Sequence, residues 1–330
     1  MSETIRLPHK PDSPLSYRFL PGQGPLSTTH IVVFLNGLIM PQTGWLPTIE
    51  DLQRRWAESG EAKNYPSLLT YDRFGQGESA RDPADELHGG HHGVVDVIAD
   101  LSTLIYEVWR TRAQGAASDQ QPGQTGTAGK RLPRLILVGN SIGCVLARLF
   151  DGADPGRMDA LLLLDSNIAN SDLVSIFPDP DARGFDPAAL PAGATVGDLR
   201  RARAGYASHF HPSAPNPEHL DRRDIAGLLP RSDAPALEAA PRVTVVGHDW
   251  EAFAEEGSRG SMNVPKSLTN AFVNPAWSRY NDGLARLTDA DRARGPVIAV
   301  GCGHFIQKDD PAFVAELVED LLQKVGADAA

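Results

Sequence analysis

The stretch from Leu135 to Leu149, LILVGNSIGCVLARL, constrains this chain more than any other. Leu135 to Val138 is a short apolar run that reads as a buried strand, and Cys144 to Phe150 spaces its apolar residues as a packed helix does. Between them Gly139-Asn140-Ser141-Ile142-Gly143 has to turn the chain sharply. Glycines suit that turn, because a helix comes close to a strand only where its neighbours lack side chains. The serine at its centre is then strained, exposed and aimed outward. An incidental serine in a small-residue turn is the plainer alternative, and the rest of the chain decides between the two.

Around that stretch the chain alternates strand and helix patterns. Leu15 to Leu20, His30 to Asn36, Leu68 to Asp72, Asp159 to Asp165, Arg242 to Gly247 and Gly295 to Gly301 read as strands. Trp45 to Trp56, Val94 to Trp109 and Pro311 to Val325 carry apolar residues at helical spacing. Such alternation predicts an α/β fold, a mostly parallel central sheet flanked by helices. Residues 167–240 break the rhythm with prolines and short helical signals (196–206 and 220–229), so they are expected to form a cap inserted between two core segments, 1–166 and 241–330. Gln114 to Lys130, rich in Gly, Ala, Gln and Thr, reads as a flexible surface loop.

Composition narrows the function classes. With 42 acidic against 31 basic residues the formal charge is −11, which argues against general affinity for nucleic acid or anionic membrane. No apolar run reaches the roughly 20 residues of a membrane span, and the start lacks the basic and apolar regions of a secretory leader, so a cytoplasmic protein is expected. Two cysteines, Cys144 and Cys302, cannot build a disulfide framework or a structural zinc site and are expected to be buried, reduced packing residues.

A serine alone is a weak nucleophile; it needs a base within hydrogen-bond reach, and the base needs an acid to fix its tautomer. His304, in Gly301-Cys-Gly-His-Phe305 directly after the last strand, is the best placed of the ten histidines to act as that base. With these pieces in place the chain resembles the α/β-hydrolase fold family. The resemblance rests on Phe34-Leu-Asn-Gly-Leu38, Tyr71-Asp-Arg-Phe-Gly-Gln-Gly-Glu-Ser79, the Gly139–Gly143 turn and Gly303-His-Phe-Ile-Gln-Lys-Asp-Asp-Pro311. It departs from the family at Asn36, where His is commoner. The resemblance implies a nucleophile at Ser141 and an oxyanion hole made by the backbone N–H groups of Leu38 and Ile142. It also implies an acid after a late strand, and three carboxylates qualify. Asp249 follows the penultimate strand and is the first choice, although the family's spacing falls one residue on, at Trp250. Asp165, one strand earlier, and Glu251 are the others.

The expected function is therefore cleavage of a small-molecule carboxylic ester, lactone or thioester by a Ser-His-Asp triad, with no cofactor and no metal. Carbon–carbon bond hydrolysis, a lyase or acyl-transfer reaction, and ligand binding without turnover use the same scaffold and stay open, as does a homodimer. Ser141 disfavours haloalkane dehalogenase or epoxide hydrolase chemistry, for which the resemblance would require Asp there. His88-Gly-Gly-His91-His92 lacks the partner spacing of a metal site and reads as a loop cluster. His209 and His211 are expected to be solvated or pocket-lining, and Arg200, Arg201 and Arg203 to form a solvated helix face.

Overall fold

The computed structural model describes residues 2–58, 64–117 and 132–328. In chain order its first elements are β1 (Glu3–Leu7), β2 (Lys10–Leu20), β3 (His30–Leu35), α1 (Leu46–Glu58), β4 (Ser67–Tyr71), β5 (His92–Gly93) and α2 (Val94–Ala117). The elements β6 (Arg134–Asn140), α3 (Ile142–Ala153), β7 (Met158–Leu164), α4 (Val196–His209), β8 (Leu220–Asp221) and α5 (Ile225–Leu228) follow. The chain ends with β9 (Arg242–His248), α6 (Trp250–Arg259), α7 (Lys266–Leu268), α8 (Asn274–Leu284), β10 (Ala293–Ala299), α9 (Ile306–Asp309) and α10 (Pro311–Asp328).

Eight strands form one sheet in the order β1-β2-β4-β3-β6-β7-β9-β10. The first two pairings, β1 with β2 and β2 with β4, are antiparallel, and every later neighbour is parallel. A parallel strand is buried on both faces, so its residues are apolar throughout and only their direction alternates. On β3, Ile31, Val33 and Leu35 point into one core with α2 and α3, while Val32 and Phe34 point into the other with α1 and α10. The strand and helix patterns read from the sequence correspond to β2, β3, α1, β4, α2, β6, α3, β7, β9, β10 and α10. The β1 hairpin and the helices from α6 to α8 carried no such expectation.

Residues 167–240 interrupt the alternation between β7 and β9, with α4, α5 and the two-residue β8, which pairs with β5 outside the main sheet. The stretch from Gln114 to Lys130, expected as a loop, begins instead as helix, since α2 runs to Ala117; residues 118–131 lie outside those described. Arg203 departs from the solvated face expected of it: it is half-buried, and its Nη1 donates to the Phe177 carbonyl at 2.7 Å. Cys144 and Cys302 are both buried and free. Among the described residues no helix is long and apolar enough to cross a membrane.

Candidate active site

All the parallel strands point their carboxyl ends to the same edge, so the loops after β3, β6, β7, β9 and β10 meet there. Ser141 follows β6 in the sharp turn expected of it, with φ 56° and ψ −122°, a conformation a non-glycine residue holds only under strain. The flanking glycines are explained by contact. A Cβ on Gly143 would sit 2.2 Å from the Leu35 carbonyl oxygen, and one on Gly139 would sit 2.7 Å from the Cys144 nitrogen. The helix α3 therefore starts flush against β3 and β6. The Ser141 side chain does not cap this helix, which leaves its hydroxyl available.

His304 is held at its backbone from both sides. Its N–H donates to Glu256 Oε2 at 3.1 Å, and its carbonyl accepts from Asn140 Nδ2 at 2.9 Å, so it is tied to the residue that precedes Ser141. Its Nδ1 lies 2.6 Å from Asp165 Oδ2, which leaves the opposite nitrogen, Nε2, as the proton-accepting end of the ring. Asp165 is fully buried at the end of β7 and takes the unusual φ of 43°. Burial pushes its carboxyl up, but the charge and hydrogen bond of His248, and then those of His304, outweigh it and hold the group at about 2. Asp165 is thus ionised at neutral pH.

The first-choice acid is occupied elsewhere. Asp249 Oδ1 accepts from the N–H groups of Glu251 and Ala252, capping α6, and Oδ2 accepts from Gly301 N–H at 3.1 Å. Four orphan N–H groups open every helix, and a carboxylate at the cap position is the group that satisfies them. Glu251 accepts from Asn270 Nδ2 at 2.9 Å and is paired with Lys266. Of the three carboxylates, the one bonded to His304 is Asp165.

The loop after β3 is braced from below. A Cβ on Gly37 would lie 3.5 Å from Ser141 Cβ, 3.8 Å from Phe305 Cε1 and 3.2 Å from Asn140 Oδ1, so this glycine faces the serine. Its carbonyl accepts from Arg73 Nη2 at 2.8 Å and Gln76 Nε2 at 2.9 Å. The Gly37–Leu38 peptide is trans, so its N–H points the opposite way from that carbonyl. The Leu38 N–H is thereby turned away from Arg73 and Gln76. Ile142 is the first residue of α3, and its N–H has no partner within the helix.

Asn36 replaces the commoner histidine without leaving a vacant bond. Its Nδ2 donates to the Tyr71 carbonyl and to Gln76 Oε1, and its Oδ1 accepts from Trp45 Nε1. Arg73 and Gln76 are positioned in turn by Glu218, from the 167–240 insertion: Arg73 Nε, Arg73 Nη2 and Gln76 Nε2 all donate to it at 2.9 Å. Arg73 and Glu218 side chains are each 2% exposed, which makes this a buried ion pair.

Several contributors escaped the sequence reading. Glu218 and Glu256 lie in segments with no local motif. His248 stood beside Asp249 at a strand end, and nothing local distinguished it. In the histidine cluster, His92 Nδ1 lies 2.8 Å from Asp85 Oδ1 and His91 pairs with Asp221 at 3.3 Å. His209 and His211 are on the insertion, bonded to Ser208 and Ser213.

The sequence profile of the Alpha/beta hydrolase family matches residues 32–317. Comparison with curated protein sequences returns no match. Among solved structures, the chain is similar to an epoxide hydrolase variant from Vigna radiata (12% identity, 98% of each chain covered, TM-score 0.55). It is also similar to alpha/beta hydrolase domain-containing protein 10 from mouse (15% identity, 98% of this chain and 99% of that one, TM-score 0.50). A thermophilic esterase from Thermogutta terrifontis aligns over 98% of this chain and 99% of its own, at 16% identity and a TM-score of 0.49. At such identities the first two likenesses establish the fold and nothing narrower.

Proposed function

The chain belongs to the alpha/beta hydrolase family, and from that premise we propose that it is a serine hydrolase acting on a carboxylic ester, lactone or thioester through an acyl-enzyme. Ser141 Oγ attacks the carbonyl carbon while His304 Nε2 takes the hydroxyl proton. Asp165 holds the imidazole in the tautomer that can accept it and stabilises the imidazolium that results. Negative charge gathers on the carbonyl oxygen, facing the N–H groups of Leu38 and Ile142. The imidazolium returns its proton to the departing alkoxide or thiolate. Water then attacks the acyl group by the same route in reverse, releasing the acid and restoring Ser141.

The observation that carries this reading is the contact of His304 Nδ1 with the buried, ionised Asp165, on a loop bonded to the residue before a serine at φ 56°. A strained serine costs on the order of 1–3 kcal/mol, which a fold retains only where the surroundings enforce it. A serine at this position also supports ester chemistry over opening of an epoxide, which the resemblance would assign to Asp there. The insertion at 167–240 is the cap in this proposal, and through Glu218 it bears on the oxyanion loop.

The test is a screen of short-chain aryl esters, macrolactones and acyl-thioesters, with a serine-directed phosphonate probe followed by peptide mass analysis. Turnover of one class, with the probe on Ser141 and both lost in Ser141→Ala, is the expected result. A folded protein that cleaves none of them and gains no probe mass at Ser141 would remove the proposal.

A further inference from the structure

Asp165 has a second imidazole partner. His248, the last residue of β9, places Nδ1 2.8 Å from Asp165 Oδ1, and its backbone N–H donates to the same oxygen at 3.3 Å. Its Nε2 lies 3.1 Å from Asn274 Oδ1. The ring is 3% exposed, stacked on Phe253 with centroids 4.1 Å apart and 18° between planes, and met edge-on by Trp277 at 5.6 Å.

The direction of every hydrogen bond around this ring is set by groups that only accept. Asn270 Nδ2 donates to the Glu251 carboxylate at 2.9 Å, so Asn270 turns its oxygen to Asn274 Nδ2 at 2.7 Å. Asn274 Nδ2 also donates to the Trp250 carbonyl at 3.1 Å, an independent anchor for the same orientation. Asn274 therefore presents a carbonyl oxygen to Nε2, and Asp165 presents a carboxylate oxygen to Nδ1. Both ring nitrogens face acceptors. A neutral imidazole has one N–H and would set a lone pair against one of those oxygens at a buried position, whereas an imidazolium satisfies both.

We propose that His248 is a resident imidazolium, paired with Asp165 in a buried ion pair that positions the Asp165 carboxylate and balances the charge that His304 meets. The kinetic part of this rests on the reading of His304 as the base. Among the described residues the other ionisable groups around the pair include Glu256 on α6, which accepts from the His304 backbone; Glu251, reached through the two asparagines; Asp249 at the start of α6; the buried thiol of Cys144 on α3; and His304 itself. A proton on His304 meets an Asp165 whose charge is already balanced. That proton is stabilised less than it would be by an unpaired carboxylate, so the charge on His248 bears on the proton His304 takes during turnover. The burial of His248 opposes its charge, yet Asp165's charge and the hydrogen bonds of Asp165 and Asn274 bring its titration above the ordinary value.

Two measurements test this. In Ser141→Ala protein, nitrogen-15 imidazole NMR is expected to show His248 with two N–H groups and imidazolium shifts at pH 7 and above; a single neutral tautomer at pH 7 overturns the proposal. This readout needs no turnover, so it decides the charge of His248 even if the hydrolase reading fails. In the active protein, His248→Gln keeps an N–H donor for Asp165 and removes the charge. The acid limb of its kcat/KM profile is expected to move up by about 1 pH unit or more, the scale on which a nearby like charge shifts a titration. A His248→Gln enzyme that loses rate with its acid limb unmoved would reduce His248 to packing.

Discussion

Replacing Glu218 by Gln probes how residues 167–240 govern the loop after β3, which carries the proposed oxyanion donor Leu38. The Glu218 carboxylate takes three N–H donors at 2.9 Å from Arg73 and Gln76, and both members of the ion pair are 2% exposed. The amide has one acceptor oxygen and brings two donors of its own, so at least one donor meets another donor. Arg73 is then left as a buried charge with no carboxylate bonded to it, held by neutral oxygens alone, among them the Asn36 and Gly37 carbonyls. Removing one member of a buried pair costs about 3–5 kcal/mol, measurable as a loss of urea-unfolding free energy. The second effect is on rate, because the Gly37 carbonyl depends on Arg73 and Gln76 for its orientation, and the Leu38 N–H points opposite to it. Displacing one oxyanion donor costs about 10²–10³-fold in kcat. The double variant Arg73→Met/Glu218→Leu separates the two effects. It is expected to recover most of the stability, since no unpaired charge remains, without recovering turnover, since the Gly37 carbonyl has lost its cation. A Glu218→Gln protein within about 1 kcal/mol of the parent and equally active would refute the coupling.

Other substitutions separate the remaining roles. Asp165→Asn is expected to lower kcat by about 10⁴-fold by mis-setting the His304 tautomer. Asp249→Ala is expected to cost about 1 kcal/mol of stability through its lost cap while leaving the rate within an order of magnitude; equal, mild rate effects of the two would contradict the assignment of the acid. Gly143→Ala, whose Cβ would meet the Leu35 carbonyl oxygen at 2.2 Å, is expected to prevent soluble expression. Gly37→Ala, with its nearest contact at 3.2 Å, is expected to fold and to lose activity. Because the Asp165 carboxyl is held at about 2, below its unfolded value, its contribution is present above the unfolded value near pH 4 and disappears as pH falls toward 2. The stability gap between wild type and Asp165→Asn, read from urea titrations, is expected to narrow over that window by about 2 kcal/mol.

Much of the molecule was legible before any coordinates. Strand and helix periodicity marked the main-sheet strands except β1, because alternating burial on a two-faced sheet leaves a continuous apolar run that survives in one dimension. The Gly139–Gly143 turn was legible for a related reason. Gly139 is required by the start of α3 and Gly143 by the Leu35 carbonyl of β3, yet both lie within two residues of Ser141, so the pattern is compact. His304 stood out because it follows the last strand in a short glycine-rich motif. By contrast, α6 to α8 carried no expectation, and nothing local in the Glu218 segment betrays its buried partner.

The sequence by itself thus determined the fold class, the strained serine and the histidine, since each is written in residues only a few positions apart. Which carboxylate bonds to His304 was decided by tertiary structure alone. Asp165 and Asp249 both follow strands of one parallel sheet, and β9 lies between β7 and β10, so adjacency alone would favour the residue after β9. The first turn of α6 claims Asp249, and β9 contributes His248 to Asp165 instead. Which oxygen meets His304 depends on how loops far apart in sequence converge at the sheet edge, and on which backbone N–H groups have already taken the competing carboxylate.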